Sequence, residues 1–393
     1  MIRVGLIVPL RGEWQGGVNY FHNLLSCYKQ NPDPDLKLIV LTGHPEDATG
    51  YQCNAIEVHH WPGMPQRSLW NIPRRAIKRF LGSDFALVNL LKRHRIDFLS
   101  HLSPQAEVAL GSGQSIRAMR WMPDFQHKRL PQFFRAEECT DRDCFVTGAQ
   151  KWGHLLLSSH AAESDFRRYF PSLNSVQTHV LHFSCPSVLD VAMVSHAELE
   201  ERYSVSGPYF YLPNQFWQHK NHAVVVDALR QCREEIRVIC TGPMNDYRFP
   251  DYVPSLMEKV RQDGLERRFI TLGVVPYPVL ASLMHYSLAV LQPSLFEGWS
   301  TTVEEAKAMC KQIIVSDIDV HREQAPERAT YFSQHCAEEL AACLERVYSE
   351  FNPVLEKTYM ERRLIRKSML GREWIPKYVA IMKAFASEGQ RAR

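Results

Sequence analysis

Short apolar runs recur along nearly the whole of this chain, and stretches with helical spacing of apolar residues lie between them. That alternation constrains the fold most, because strands separated by helices pair in parallel and need helices on both faces of the sheet. In the first half the expected strands are Val4–Leu10, Leu36–Leu41, Ile56–His59, Phe98–Leu102, Ala118–Met122, His154–Ser158 and Thr178–Leu181. In the second half they are Tyr209–Leu212, Arg237–Thr241, Phe269–Leu272, Leu288–Gln292, Gln312–Ser316 and Ala329–Phe332. Helices are expected between them, for example over Asn221–Arg233, Thr302–Met309 and Ala337–Ser349. Two such series are too many for one sheet of ordinary size, and the natural break is the polar stretch around Ser184–Gly207. The expected class is therefore α/β, with doubly wound domains over 1–184 and 208–370 and a linker over 185–207. Trp374, Tyr378, Ile381 and Phe385 recur at helical intervals, so 371–393 reads as an amphipathic closing helix, expected to cross back to the first domain. Open α/β sheets bind ligands beyond their C-terminal strand ends, so two such domains facing each other would hold them in a cleft.

Composition removes several alternatives. Over 393 residues, 46 basic minus 43 acidic side chains leave +3, too even for a dedicated nucleic-acid binder. No apolar run approaches the roughly 18 residues of a membrane span. Met1–Pro9 reads as a buried strand rather than a leader, because Arg3 interrupts it and no small-residue cleavage site follows. The ten cysteines are scattered, as in a cytoplasmic protein with reduced thiols, and Cys139-x4-Cys144 has no second pair at metal-ligand spacing. Charge is uneven: residues 1–185 carry 21 basic and 16 acidic side chains, and 67–95 hold eight basic residues against Asp84. Two readings of 67–95 stand: a solvated helix face, or a patch for an anionic acceptor or the inner face of the membrane.

Three strand-to-helix loops could carry chemistry. In Gly12-Glu13-Trp14-Gln15-Gly16-Gly17, paired glycines allow close backbone approach at a helix N-terminus that attracts phosphate. The dinucleotide fingerprint is absent there, and Gly111-Ser112-Gly113-Gln114-Ser115 lacks its third glycine. In Asn214-Gln215-Phe216-Trp217-Gln218-His219-Lys220, an ammonium group should open a helix, which favours a diphosphate. In Glu297-Gly298-Trp299-Ser300-Thr301-Thr302-Val303-Glu304-Glu305, a capping box at Thr301/Glu304 or Thr302/Glu305 explains the threonines and one glutamate. It does not explain Glu297, or a Trp and a Gly in the same loop.

These residues resemble a known family. Glu297 and Glu305 have the E-x7-E spacing of retaining nucleotide-sugar glycosyltransferases, and 209–332 looks like their donor-binding domain. The chain resembles glycosyltransferase family 4 (glycosyl transferases group 1), in a branch with an N-Q-F-W-x-H-K-N-H signature and a later S-D-x-x-V-H-R-E-Q-like segment, here Ser316–Gln324. The resemblance is weaker over 1–185. It implies the GT-B fold, two Rossmann-like domains facing across a cleft, whose closure excludes water. It also implies roles: Glu297 on donor-sugar hydroxyls, Glu305 on the ribose diol, and Lys220 on the diphosphate. Amides from Gly298 through Thr301, beside Thr302, would meet diphosphate and sugar, and Gly242 would line the same cleft with Asn214, Gln215 and His219. Leu272–Pro276, through Val274 and Val275, would hold the base. Gly16 and Gly17 would close on the diphosphate from the first domain.

The chain departs from the family at two points. Gln215 stands where many members have Arg five residues before the Lys, so leaving-group charge must rest on Lys220 and the helix dipole. In Trp121-Met122-Pro123-Asp124-Phe125-Gln126-His127, Pro123 replaces an expected His. Asp124 and His127 become the candidates for handling the acceptor hydroxyl, with an ordinary surface histidine as the plain alternative. Asp33-x-Asp35, Asp141-x-Asp143 and Asp317-x-Asp319 match a metal-binding tripeptide that is common by chance, and no metal or other cofactor is expected. The expected activity is transfer of a hexose or deoxyhexose to a glycan or lipid-linked acceptor in bacterial surface polysaccharide or lipopolysaccharide assembly, in the cytoplasm or at the inner membrane face. A nucleotide-sugar epimerase and a non-catalytic sugar-binding module remain as alternatives. A phosphorylase finds no support.

Overall fold

The computed structural model describes residues 1–8, 15–61, 85–103, 116–233 and 235–391. Gly12–Trp14, most of the basic segment 67–95 and Gly111–Ser115 lie outside the described residues. The chain divides into two compact units. One comprises Met1–Phe125, Ala136–Phe183 and Gly371–Arg393; the other comprises Gln126–Arg135 and Ser184–Leu370.

Among the described residues the first unit holds seven strands: β1 (Ile2–Ile7), β2 (Leu36–Thr42), β3 (Ile56–His60), β4 (Phe98–Leu102), β5 (Arg117–Met122), β6 (His154–Leu157) and β7 (Gln177–Val180). They form one parallel sheet in the order β3-β2-β1-β4-β5-β6-β7. The closing helix starts earlier than its apolar spacing suggests, running over Arg363–Arg391 with Pro376 inside it. From Gly371 on it belongs to this unit, where Trp374, Tyr378, Met382 and Phe385 are buried. Phe385 packs edge-on against Phe98 and His154, and its carbonyl accepts from Arg117 at 2.6 Å.

The second unit holds six strands: β8 (Phe210–Pro213), β9 (Val238–Thr241), β10 (Phe269–Thr271), β11 (Val290–Gln292), β12 (Ile313–Ser316) and β13 (Ala329–Phe332). All pair in parallel, in the order β10-β9-β8-β11-β12-β13. Successive side chains of a strand point to opposite faces, and the core divides accordingly. Phe210, Leu212, Val238, Cys240 and Leu291 pack on one side with the helices His222–Gln231 and Ala337–Glu350. Tyr209, Tyr211, Ile239, Val290 and Ile313 pack on the other, with the helices Tyr277–Tyr286 and Thr301–Ala308.

The polar stretch 185–207 is folded rather than a plain connector. It carries a short 3-10 turn at Pro186–Leu189 and the helix His196–Tyr203, capped by Ser195, and buries Val188, Leu199 and Val205 in the second unit's core. Its surface is polar because only one side of each element is buried, and composition alone does not reveal that.

Candidate active site

In the second sheet the strand order reverses between β8 and β11, which are neighbours although three strands apart in sequence. A crevice forms beyond the strand ends at such a switch point, and the loops with Lys220 and Glu297 leave those two strands. Asn214 Nδ2 donates to Gln292 Oε1 at 2.8 Å, and Gln292 Nε2 donates to Glu297 Oε1 at 2.7 Å. Lys220 Nζ meets the same carboxylate oxygen at 2.6 Å. The pair is mostly withdrawn from water, with 17% of the Lys220 and 10% of the Glu297 side chain exposed. Removing one partner would strand a poorly hydrated charge.

Lys220 does not open a helix. It closes a 3-10 turn, Gln218–Lys220, and Asn221 follows at φ 58° in the left-handed region before the helix His222–Gln231 begins. Three anchors hold this turn. The Asn221 side chain donates to the carbonyls of Pro293 and Gln334 at 3.1 and 2.8 Å. The His219 carbonyl accepts from Leu295 N at 2.8 Å, tying the turn to the Glu297 loop. Buried Asp246 accepts Gln218 N through Oδ2 at 3.0 Å, a role no sequence motif announced. Burial, and then Lys220, push the His219 imidazole far below its ordinary pKa, so it stays neutral. Gly242 has φ 135°, and a Cβ there would lie 2.4 Å from the Asn214 carbonyl oxygen, so only glycine admits this approach.

On the other side, Ser300 rather than Thr301 or Thr302 caps the helix Thr301–Ala308, accepting Val303 N at 3.4 Å. Neither glutamate closes a capping box. Glu304 pairs with Lys307 at 2.9 Å, while Glu305 accepts from the Tyr277 hydroxyl at 2.8 Å. The loop is braced by Ser316–Gln324. Ser316 Oγ donates to the Ser294 carbonyl at 2.6 Å, and Gln324 receives Ser300 N and donates to the Ser300 carbonyl and to Glu304. His321 is fully buried and kept neutral by burial; its Nδ1 donates to the Ser316 carbonyl at 2.9 Å. The Ser300 amide is thus occupied, while the amides of Thr301 and Thr302 lie in the first helical turn, where backbone donors lack helical partners. The sequence pattern singled out Lys220, Glu297, Glu305 and the segment ending in Gln324; it missed Gln292, Asp246 and Tyr277, because isolated polar residues at a strand end, in a loop and at a helix start carry no spacing signal.

The remaining candidates separate. Among those expected to bind the donor, Gln215 and Gly298 are half-buried, and Trp299 is half-buried with the Lys307 ammonium 5.9 Å over its ring. Val274 is 74% exposed beyond β10, while Val275 packs on the core. In the first unit, Gly16 is exposed and Gly17 buried in the first turn of the helix Gln15–Gln30. Asp124 is paired with Arg142 at 2.7 Å. His127 is not a surface histidine. It lies in the short helix Gln126–Arg129, grouped with the second unit, 1% exposed and edge-on to Phe134 at 6.2 Å.

Of the acidic tripeptides, Asp33 and Asp35 pair with Lys383 and Asp317 pairs with Arg322. Glu57, His59 and His94 also bring possible ligand atoms within 4.8 Å of one another. The Glu57 carboxylate there is already shared by Lys37 at 2.6 Å and Arg3 at 3.0 Å, a setting hostile to a further cation.

Residues 208–350 match the sequence profile of the family Glycosyl transferases group 1. No curated protein has a significantly matching sequence. Similar solved structures include a glycosyltransferase from Rickettsia africae, at TM-score 0.68 and 15% identity, with 98% of each chain covered. HepE from Anabaena, in complex with UDP and glucose, matches at TM-score 0.67 and 15% identity over 98% of this chain and 100% of that one. Sucrose-phosphate synthase from Thermosynechococcus elongatus matches at 0.67 and 14%, with the same coverage. At these identities the likeness is one of fold.

Proposed function

We propose, from the match of residues 208–350 to the glycosyl transferases group 1 profile and from the GT-B fold of the chain, that the protein is a retaining glycosyltransferase whose second unit binds a nucleoside-diphosphate sugar. One observation carries the reading. Lys220, Glu297 and a capped helix N-terminus converge at the switch point of the second sheet. A diphosphate needs a cation and amide donors, whereas a sugar needs hydroxyl acceptors. This site supplies the first through Lys220 and the Thr301–Thr302 turn, and the second through Glu297.

In the reaction, the bond from the anomeric carbon to the diphosphate oxygen lengthens, and negative charge grows on the leaving group. Lys220 and the helix amides are fixed in advance where that charge develops, which is where the greatest rate gain lies. The acceptor hydroxyl attacks from the same face, its proton passing to the departing phosphate oxygen, so that configuration is retained. The donor sugar is a hexose or deoxyhexose, and the acceptor is a glycan or lipid-linked glycan met by the first unit. Bacterial surface polysaccharide or lipopolysaccharide assembly at the cytoplasmic membrane face, without a metal cofactor, is the setting the family resemblance favours.

The test is release of nucleoside diphosphate from UDP-, GDP-, ADP- and dTDP-sugars. One donor should be slowly hydrolysed by the wild type. Lys220→Ala should lower that rate on the order of 100-fold or more while thermal unfolding stays cooperative. Near-normal turnover in this variant would refute the assignment. An epimerase would instead release a changed sugar nucleotide without any acceptor.

A further inference from the structure

Gln215 brings no charge to the loop that carries Lys220, and a guanidinium stands on the loop beside it. The two loops, 214–220 after β8 and 242–249 after β9, leave neighbouring strands and are bonded to each other. Phe216 N donates to the Pro243 carbonyl at 3.0 Å. Asp246 accepts Gln218 N through Oδ2 and Arg248 N through Oδ1, both at 3.0 Å. One buried carboxylate therefore seats the Lys220 turn and Arg248 together. The Arg248 guanidinium lies over the Phe134 ring at 4.1 Å, with Tyr247 at 5.0 Å. Trp217, which precedes the Lys220 turn, lies 5.5 Å from it. The charge of Arg248 is felt inside that turn: after burial and Lys220, it is the next group that keeps the His219 imidazole neutral. An arginine stacked on rings is held by its faces, while its fork of N–H groups lies in the plane between them.

We propose that Arg248 is a second cation of the donor site, binding the diphosphate of the sugar nucleotide beside Lys220 and supplying from the β9 loop the charge that Gln215 lacks. This rests on the donor-site reading above. A diphosphate spreads its charge over two phosphoryl groups, so cations on two separate loops serve it better than one. The planar fork of Arg248 matches phosphate oxygens as a point charge does not. Its aromatic seat, with Phe134 contributed by the segment Gln126–Arg135 of the same unit, fixes that fork before the donor arrives. A cation fixed in this way costs no reorganisation when negative charge collects on the departing diphosphate.

The experiment titrates UDP, GDP, ADP and dTDP into wild type, then compares the diphosphate that binds with its own monophosphate in the variants. Release of that diphosphate from the matching sugar nucleotide is followed in parallel. Arg248→Gln should bind the diphosphate on the order of tenfold more weakly and release it on the order of 100-fold more slowly. Its affinity for the monophosphate should change far less. A merely loosened loop would weaken both nucleotides alike. Adding Gln215→Arg to Arg248→Gln should restore a large part of both losses, because the charge returns from the neighbouring loop. Arg248→Lys keeps the charge without the fork, so it should lose only several-fold of the diphosphate affinity; it carries the test if Arg248→Gln does not fold. Unchanged diphosphate binding in the Arg248 variants, equal losses for both nucleotides, or a double variant no better than Arg248→Gln would overturn the proposal. The donor site itself would still stand in each of those cases, provided Lys220→Ala remains impaired. Failure of wild type to bind any of the four diphosphates would overturn the donor-site reading.

Discussion

At the scale of single residues, the site is built from groups held in costly states. Lys220 and Glu297 neutralise each other at 2.6 Å, and Gln292 adds an amide to the same oxygen. Glu305 has no such relief, so its ionisation works against the fold. A carboxyl raised from its ordinary 4.5 to about 7 contributes stability that is complete below pH 4.5 and lost as the pH rises through about 7. The gap corresponds to on the order of 3 kcal/mol. Glu305→Gln should therefore unfold at a higher temperature than wild type at pH 8, with the difference vanishing near pH 4.5, while donor binding is impaired. Calorimetry across that range checks it; equal unfolding temperatures at pH 8 would mean that the carboxyl is relieved in some other way.

At the scale of elements, burial decides what can be read in advance. A parallel strand covered on both faces is a continuous apolar run between polar or glycine-rich turns, and Ile313–Ser316, buried throughout, falls within the expected Gln312–Ser316. The closing helix was legible from its apolar stripe, but its start was not. Its first turns bury little, so Arg363 to Met369 carry no stripe, and Ile365 and Met369 are exposed. The attachment of Gln126–Arg135 to the second unit was equally unreadable. It rests on partners far away in sequence: Arg129 with Asp319, Phe133 with Phe249, and Arg248 over Phe134. Of the site, the charged residues at family spacing were legible, whereas the polar side chains that aim them were not. Phe385→Ala tests the element that closes the first unit. Its ring is fully buried against Phe98, His154 and Arg117, so truncation should cost about 3–5 kcal/mol in denaturant unfolding. A loss below about 1 kcal/mol would show that the helix contributes little to that unit.

At the scale of the molecule, the proposed donor contacts fall almost wholly in the second unit. Donor at about 100 times its dissociation constant adds about 2.7 kcal/mol of stability, and hydrogen exchange should place that gain unevenly. Residues 212–220, 271–277 and 292–305 should slow, along with the turn at Gly16 and Gly17, while β2, β3 and β7 stay unchanged. Uniform slowing across both sheets would contradict a donor site confined in this way. The mutual occupancy of Lys220 and Glu297 also bears on how the protein behaves among abundant cellular anions. A bare phosphate that captured Lys220 would leave Glu297 with the Gln292 amide alone, and a free sugar at Glu297 would not repay the separated ammonium. Under the proposed function, a ligand that brings both halves at once would exchange the pair without loss, and the site would act as a coincidence detector that stays shut to either half-ligand.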